Sequence, residues 1–292
     1  ASALGLVSMA RSNPHRPFVP NPEMVTRLPK ITGNEINGLG ETFARRADHV
    51  FWAPDPNEIA FGEVQKWFYL CQPDCTEMAV EREKRQAVFD ASLPDMNPYA
   101  LEKSPIEWTN SLDQFVEAGV CEMVGVTTLH LDWMFENHST TFQKIIMVGV
   151  QHEYEEIKHA PEFRAGIEVV RQYGRAAAAA KKITGWLMEQ GWDAEALTGP
   201  MAGKVVMIPP ALACGFGELG KHGSLINPEF GSSFRLAAIL TNAPFEDTPK
   251  REFGIDEFCS KCRICEDACP PIAIQPDKQV VRGVERWYVD FD

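Results

Sequence analysis

The sequence predicts an α/β (α+β) fold followed by a small cysteine-bearing module. Three apolar runs typical of buried strands occur at 121–129, 144–150 and 234–244, and a long helical pattern at 161–191 separates the second from the third. Strands that alternate with helices are typical of α/β layers. The pattern changes near Phe258, where four cysteines lie between residues 259 and 269.

The composition limits the classes of function. The chain has 292 residues, is 45% hydrophobic and carries a net charge of −13. This length allows a sizeable core, and the acidic charge argues against nucleic acid as a partner. No apolar run approaches the roughly 20 residues that span a bilayer, so no transmembrane segment is expected. The predicted location is cytoplasmic. Because the chain begins at Ala1 rather than Met, export followed by signal cleavage is the alternative.

Three segments are predicted along the chain. Residues 1–110 form an N-terminal extended or irregular segment with little core before residue 60, and they include a charged helix at 77–91. Residues 111–250 form the α/β domain, which begins with a helix capped by Ser111 and stopped at Gly119. Within it, the KVVMIPP run at 204–210 predicts another strand. Residues 251–292 form the cysteine module.

The cysteine run FCSKCRICEDACPP has the spacing C-x2-C-x2-C-x3-C-P. This is the spacing of bacterial ferredoxins, in which the first three thiolates surround one cubane and the fourth ligates another cluster. A zinc site would favour two well-separated pairs instead. We therefore predict Cys259, Cys262, Cys265 and Cys269 as ligands of 4Fe-4S clusters.

The predicted module lacks a second cysteine run, because no cysteine follows Cys269 before Asp292. The expectation is that the module is truncated, or that its remaining ligands come from elsewhere. Of the other four cysteines, Cys121 and Cys214 lie in apolar stretches and are predicted as core residues. Cys71 and Cys75 form a weak candidate metal pair.

Several segments resemble the corrinoid-dependent reductive dehalogenases, from roughly Leu112 to the C-terminus. They are LDQFVEAGVCEMVGVTTLHLDW, IIMVGVQHEYEEI, GFGELGKHGSLINPEFGSSFRLAAILTNAPF and FGIDEFCSKCRICEDACP. The resemblance implies a nitroreductase-like domain that binds cobalamin, followed by a ferredoxin-like module. It also implies removal of halide from an organohalide, with electrons supplied through the clusters by a redox donor protein. A homodimer or a missing C-terminal segment is left open.

The resemblance also implies a tyrosine that donates a proton and a basic residue beside it. The family placement, ahead of the Gly191-Trp192-Asp193-Ala194 step, indicates Tyr173 as the donor, with Tyr154 as the fallback. The basic residue after the Pro-x-Phe-Gly turn is Arg235. A guanidinium favours the phenolate form of a nearby tyrosine, which makes that tyrosine a better acid.

The glycine-rich loop is the predicted cofactor cradle, although a plain connection would also explain it. Glycine lets backbone approach a ligand closely. The candidate cofactor-binding residues are Gly215, Gly217, Gly220, Gly223, Ser224 and Phe230. His222 lies in this loop but is not predicted as a cobalt ligand, because the family binds cobalamin without a protein histidine. The sequence departs from many members at Thr198 and Gly199, where an asparagine is usual, and this puts substrate contacts there in doubt.

Two alternative functions differ in class. Epoxyqueuosine reductase, another cobalamin and iron–sulfur enzyme, places an acid directly after a Gly-Arg pair, whereas here Gly174-Arg175 precedes Ala176. The other alternative is a non-enzymatic electron-transfer subunit or an inactive fragment, which the missing second cysteine run favours.

Overall fold

The computed structural model describes residue 13 and residues 16–70, 75–199 and 203–292. The α-helices of these ranges, α1 to α11, are Pro22–Val25, Gly33–Asn37, Gly62–Leu70, Thr76–Asp90, Pro105–Asn110, Asp113–Glu117, Tyr154–Ile157, Phe163–Glu189, Ile208–Ala213, Ile255–Lys261 and Ile264–Ala268. Short 3-10 turns occur at Pro56–Glu58 and Leu131–Trp133. The strands, β1 to β8, are Met123–Thr128, Lys144–Gln151, Ala194–Leu197, Glu218–Leu219, Leu225–Ile226, Phe234–Thr241, Gln279–Val281 and Val284–Arg286. The chain is therefore a mixed α/β protein, as predicted.

The central sheet has the order β1-β2-β6-β3, and every neighbouring pair is antiparallel. The register places Met147 opposite Ala238 and Val150 opposite Arg235. Strand β2 is buried on both faces because Ile146 and Val148 face one core while Ile145 and Met147 face the other. An alternating strand with two apolar faces must be covered on both sides.

Helix α8 covers one face of the sheet. Its alanine-rich stripe, including Ala176 and Ala180, is buried against β2 and β6 together with Ile183. Small side chains let a helix approach a sheet closely, and Ala also has the highest helix propensity. The other face is covered by α9 and by the hairpin of β4 and β5.

Three local predictions were wrong or incomplete. The run at 204–210 is not a strand: Val205 makes one isolated bridge, and helix α9 begins at Ile208. Pro209 and Pro210 suit the first turn of a helix, where no backbone N–H is needed. Ser111 ends helix α5 rather than beginning the next helix, whose N-cap is Leu112. Strand β3 was not predicted.

The N-terminal segment has more structure than predicted. Val50, Phe61 and Val64 form a small buried core. Residues near α2 also pair with the C-terminal hairpin, since Leu39 bridges Val281 and the Gly40 N–H donates to the Val280 carbonyl at 2.8 Å. The two ends of the described chain are thus packed together.

Within the described ranges, no helix has both the length and the apolar character needed to cross a membrane.

Candidate functional site

Tyr173 and Arg235, predicted as a pair, lie side by side. The Arg235 guanidinium carbon is 4.7 Å from the centre of the Tyr173 ring, within the range of a cation–π contact. Tyr173 lies on α8 and Arg235 is the second residue of β6, and both are half-buried. The packing of α8 on the sheet therefore brings these two distant positions together.

The surroundings of Arg235 leave polar atoms unsatisfied. The buried Nε of Arg235 has no hydrogen-bond partner among the described residues, and the same holds for Nε2 of His152. Buried polar atoms are nearly always paired, and exceptions often mark functional sites. These two atoms therefore suit a ligand bound at this end of the sheet.

His152 is a site residue that the sequence analysis missed. It follows β2 directly, is 5% exposed, and its Nδ1 lies 3.3 Å from the Ser233 hydroxyl. Burial lowers the pKa of His152 to about 4, and the charge of Arg235 acts in the same direction. The imidazole is therefore neutral at neutral pH. The one feature of the sequence that could have identified His152 as a site residue is its position directly after a predicted buried strand.

Tyr173 also lines a cavity of about 550 Å³. Most of its wall comes from α3, α4 and α8, with Trp52 at one side. Its lining residues include Trp52, Phe68, Tyr69, Arg82, Arg85, Glu162 and Tyr173. Burial raises the pKa of Tyr69, and the charge of Arg85 opposes that rise. The volume falls in the range of small-molecule pockets, and we name this cavity the Tyr173 chamber.

The glycine-rich loop packs against the chain's own atoms. A side chain at Gly217 would strike the Ile226 carbonyl, and one at Gly223, whose φ is +77°, would come within 3.0 Å of Val289 Cγ2. Only glycine tolerates both the conformation and the close approach. Internal packing thus explains these glycines, and their predicted contact with a cofactor stays a prediction.

The remaining predicted loop residues are distributed around this hairpin. Gly215 faces Pro249 and Arg251, and Gly220 faces Ile226. Ser224 is exposed, while Phe230 is half-buried against the second core. The His222 ring accepts a hydrogen bond from the Ser224 N–H at 3.1 Å, and burial lowers its pKa.

The four cysteines of the ferredoxin-like run lie on and between α10 and α11. Cys259 is buried and the other three are half-buried, and none is in a disulfide. Burial raises the pKa of Cys265, and the neighbouring Cys262 and Cys259 raise it further. The thiols of Cys262 and Cys259 therefore lie near the thiol of Cys265. The donor set fits an iron–sulfur cluster.

Among the described residues, no group of three or more His, Cys, Asp or Glu side chains is gathered around a single-ion site. A cubane is larger than one ion, so its ligands lie further apart.

Cys121 and Cys214 are 1% and 4% exposed, which confirms them as core residues. Burial raises the pKa of Cys121 to about 11 and shifts that of Cys214 in the same direction. Cys71 lies outside the described residues, so the predicted Cys71–Cys75 pair is untested.

Lys221 connects the glycine-rich loop to the segment of α10 and α11 that carries the cysteine run. Its Nζ lies 2.6 Å from Glu266 Oε1 and donates to the Cys262 carbonyl at 3.1 Å. The Lys221 and Glu266 side chains are 4% and 7% exposed. Arg263 contacts the second Glu266 oxygen at 3.0 Å, and the Lys221 ammonium lies 5.0 Å from the Trp287 ring centre. This buried pair fixes the position of Cys262 relative to the loop.

Glu218 of β4 caps helix α10 from outside. Its carboxylate accepts from the N–H groups of Ile255 at 2.8 Å, of Gly254 and Asp256 at 3.1 Å each, and of Phe253. Burial would raise the pKa of Glu218, but these four hydrogen bonds outweigh it and the pKa is lowered. A carboxylate at a helix N-terminus also interacts favourably with the helix dipole. Glu218 therefore helps to hold Cys259.

Replacing this cap tests its contribution. We expect Glu218→Gln to lower the free energy of unfolding by about 1 kcal/mol, the usual contribution of a cap. Because the folded pKa is lowered, the wild-type contribution is complete above the unfolded value of about 4.3 and disappears as pH falls through the folded pKa. Urea unfolding between neutral and acidic pH should show that the variant lacks this part of the slope. Glu257→Gln, at an exposed site on the same helix, is the matched control.

The comparisons with known proteins agree with this architecture. No family model matches the chain. A tetrachloroethene reductive dehalogenase of Desulfitobacterium hafniense is 31% identical over 194 residues, which cover 62% of this chain and 34% of that protein. An epoxyqueuosine reductase of Synechococcus sp. (strain CC9605) is 37% identical over 100 residues, covering 32% of this chain and 28% of the relative.

The fold of this chain is similar over most of its length to that of a solved structure. A catabolic reductive dehalogenase in complex with 3-bromo-4-hydroxybenzoic acid matches with a TM-score of 0.69 at 18% identity, covering 91% of this chain and 40% of that one. At this identity the match concerns the fold alone. The chain spans about a third of the length of the curated dehalogenase above. The chain is related to the reductive dehalogenases, as its sequence predicted, with epoxyqueuosine reductase as a further relative.

Proposed function

We propose that this chain takes part in corrinoid-dependent reductive dehalogenation of an organohalide. The observation that carries the proposal is the contact between Arg235 and Tyr173, 4.7 Å from guanidinium carbon to ring centre, in a chain related to reductive dehalogenases. The sequence resemblance alone predicts this pair, and its two residues lie on separate elements, α8 and β6. Their proximity beside a cavity of small-molecule size supports a joint role.

The proposal includes a division of labour along the chain. Residues 111–250 would form the nitroreductase-like domain that binds the corrinoid, and residues 251–292 a ferredoxin-like module. Residues 1–110 would complete the wall of the Tyr173 chamber, since Trp52 and Tyr69 line it. A redox donor protein would supply electrons to the module.

Two kinds of cofactor would bind. A corrinoid, when bound, supplies the cobalt chemistry that breaks the carbon–halogen bond. The residues proposed to hold it are Gly215, Gly217, Gly220, Gly223, Ser224 and Phe230. Iron–sulfur clusters at Cys259, Cys262, Cys265 and Cys269 would supply electrons one at a time. The unpaired atoms of Arg235 and His152 support a ligand at the sheet end, and the four free thiols on and next to α10 and α11 support a cluster.

The proposed role of Tyr173 is proton donation. Replacing a halide by hydrogen requires an electron pair and a proton, and the halide leaves as an anion. Tyr173 would give its hydroxyl proton to the carbon that loses the halide, and Arg235 would stabilise the resulting phenolate through its charge. His152 is neutral and would not compete as a second cation in the same place.

The position that would distinguish an epoxyqueuosine reductase carries no acid. Ala176 follows Gly174-Arg175 and is 1% exposed, packed in the first core. A carboxylate in that environment would be buried without a partner, at a high free-energy cost. This observation favours the dehalogenase over the related enzyme.

The cofactor content of the purified chain tests the proposal. We expect iron and acid-labile sulfide, with a corrinoid absorption spectrum after anaerobic reconstitution with cobalamin. We also expect halide release from a panel of organohalides in the presence of a strong reductant. Clusters without any corrinoid binding would instead identify an electron-transfer protein, and conversion of epoxyqueuosine in RNA would identify the related reductase.

A further inference from the structure

The N-terminal segment places a guanidinium at the end of the helix that carries the last cysteines. Arg16 and Glu266 are 250 residues apart in the sequence, yet the Arg16 Nη2 donates to the Glu266 carbonyl at 2.6 Å. The same nitrogen donates to the Cys269 carbonyl at 2.7 Å, and the Arg16 Nε donates to that carbonyl at 3.1 Å. One of the predicted cluster ligands is therefore in direct contact with a cation through its own backbone.

Asn13 binds the same end of α11. Its Nδ2 donates to the carbonyls of Asp267 at 3.2 Å and Ala268 at 3.0 Å. The last carbonyls of a helix have no partner within the helix. Asn13 and Arg16 together thus donate to the last three carbonyls of α11 and to that of its C-cap. One of these two side chains is neutral and the other is charged.

The charge of Arg16 is not compensated by a carboxylate. Arg16 is half-buried, its guanidinium donates to the backbone carbonyls named above, and it forms no ion pair with any described residue. Lys221 differs, because it donates to the Cys262 carbonyl but is paired with Glu266 at 2.6 Å. Residues 256–267 carry four carboxylates and two cations. The Arg16 charge therefore lies beside a segment that is acidic overall.

A positive charge at this place favours the addition of an electron to a cluster. A cluster that takes up one electron becomes more negative by one charge, and a nearby cation stabilises that state. The sulfur and the carbonyl of Cys269 belong to one residue, so the Arg16 guanidinium lies within the roughly 10 Å over which salt screens a charge. Net charge and hydrogen bonding around the ligands are among the factors that set cluster potentials.

We propose that Arg16 is a positioning residue that raises the reduction potential of the iron–sulfur cluster beside Cys269. In the step concerned, one electron passes from an external reductant to the cluster, and no covalent bond is formed or broken. A weaker reductant can then deliver electrons to the chain. This inference rests on the iron–sulfur part of the proposed function, and it is independent of corrinoid binding and of halide release.

Redox titration of the reconstituted full chain with dithionite, followed by electron paramagnetic resonance, tests the proposal. We expect Arg16→Gln to lower the reduction potential, so that the ratio of reduced to oxidised cluster at a fixed potential falls roughly tenfold, or about 59 mV for one electron. Arg16→Lys keeps the charge and should stay within about threefold of the wild-type ratio. Iron and sulfide contents show whether each variant carries the same cluster.

Two control variants separate the effect of charge from that of local structure. Asn13→Ala removes the neutral side chain from the same helix end, and the ratio should stay within about twofold of the wild-type value because no charge changes. Lys261→Gln removes a cation that is 74% exposed and paired with Glu257. Its effect should also stay below about twofold, because solvent screens this charge.

The outcomes distinguish this inference from the proposed function. Equal potentials in the wild-type and Arg16→Gln chains would overturn the role of Arg16, and so would equal shifts in Arg16→Gln and Asn13→Ala. A roughly tenfold shift in Arg16→Lys would overturn it even if Arg16→Gln failed to bind iron, since the charge is retained there. A wild-type chain that binds no cluster would overturn it as well. A potential that depends on Arg16 in a chain without corrinoid or halide release would retain this inference and reject the proposed function.

Discussion

A chain that carries Tyr173→Phe is expected to lose about two to four orders of magnitude in organohalide turnover. The substitution removes one hydroxyl and keeps the ring, so the contact with the Arg235 guanidinium at 4.7 Å can persist. Corrinoid and iron contents should therefore match those of the wild-type chain. Halide release under single-turnover conditions, with the cofactors reduced beforehand, measures the loss.

Tyr154→Phe is the matched control for this substitution. Tyr154 is 68% exposed on the short helix α7, and its ring contacts Lys158 at 5.9 Å. We expect its turnover to stay within about twofold of the wild-type value, since surface substitutions rarely have large effects. Wild-type turnover in the Tyr173→Phe chain would remove Tyr173 from the mechanism, and a loss at Tyr154 instead would transfer the role to the fallback donor.

The largest expected effect on stability comes from Lys221. Lys221→Met should lower the free energy of unfolding by about 3 kcal/mol, because it leaves Glu266 as a buried carboxylate with only Arg263 as a charged partner. The hydrogen bond to the Cys262 carbonyl is lost as well. Chemical denaturation of the cluster-loaded chain, followed by circular dichroism, measures the change.

A second lysine provides an internal comparison. Lys278 lies 5.4 Å from the same Trp287 ring and pairs with Asp256 at 2.7 Å, but this pair is exposed, at 32% and 56%. Lys278→Met should therefore cost less than about 1 kcal/mol. The double variant Lys221→Met with Glu266→Leu should recover much of the stability, because the one charge left without its partner, on Arg263, is exposed to solvent. Equal losses at the two lysines would show that burial of the Lys221 pair is not what stabilises the module.

The sequence predicted the elements whose signals are local. Strands β1, β2 and β6 are continuous apolar or β-branched runs, and helix α8 has a long apolar stripe. The residue pattern of each segment therefore predicts its secondary structure without information from the rest of the chain. Strand β3 was missed because its residues, Ala194–Leu197, favour helices and become a strand only by pairing with β6. The 204–210 run was mistaken for a strand because its apolar residues concealed the helix that its prolines begin.

The same distinction applies to the candidate site. The cysteine spacing is local, so the candidate ligands could be chosen without a structure. Tyr173 and Arg235 needed a resemblance to known proteins, because their contact depends on how α8 packs on the sheet. Arg85 and Trp52 could not be predicted, since they reach the chamber through the packing of α4 against α8 and through a segment with little recognisable pattern.

The contact between residues 33–34 and 288–292 has a consequence for the order of folding. The Gly33 N–H donates to the Asp292 carboxylate at 2.8 Å, and the Tyr288 hydroxyl donates to Asn34 at 2.7 Å. These contacts join residues that are far apart in the sequence. Closing so long a loop costs conformational entropy, so the contacts form late in folding. Residues 33–34 and 288–292 therefore complete each other's hydrogen bonds late in folding, and the segments on both sides of these contacts are stabilised only then.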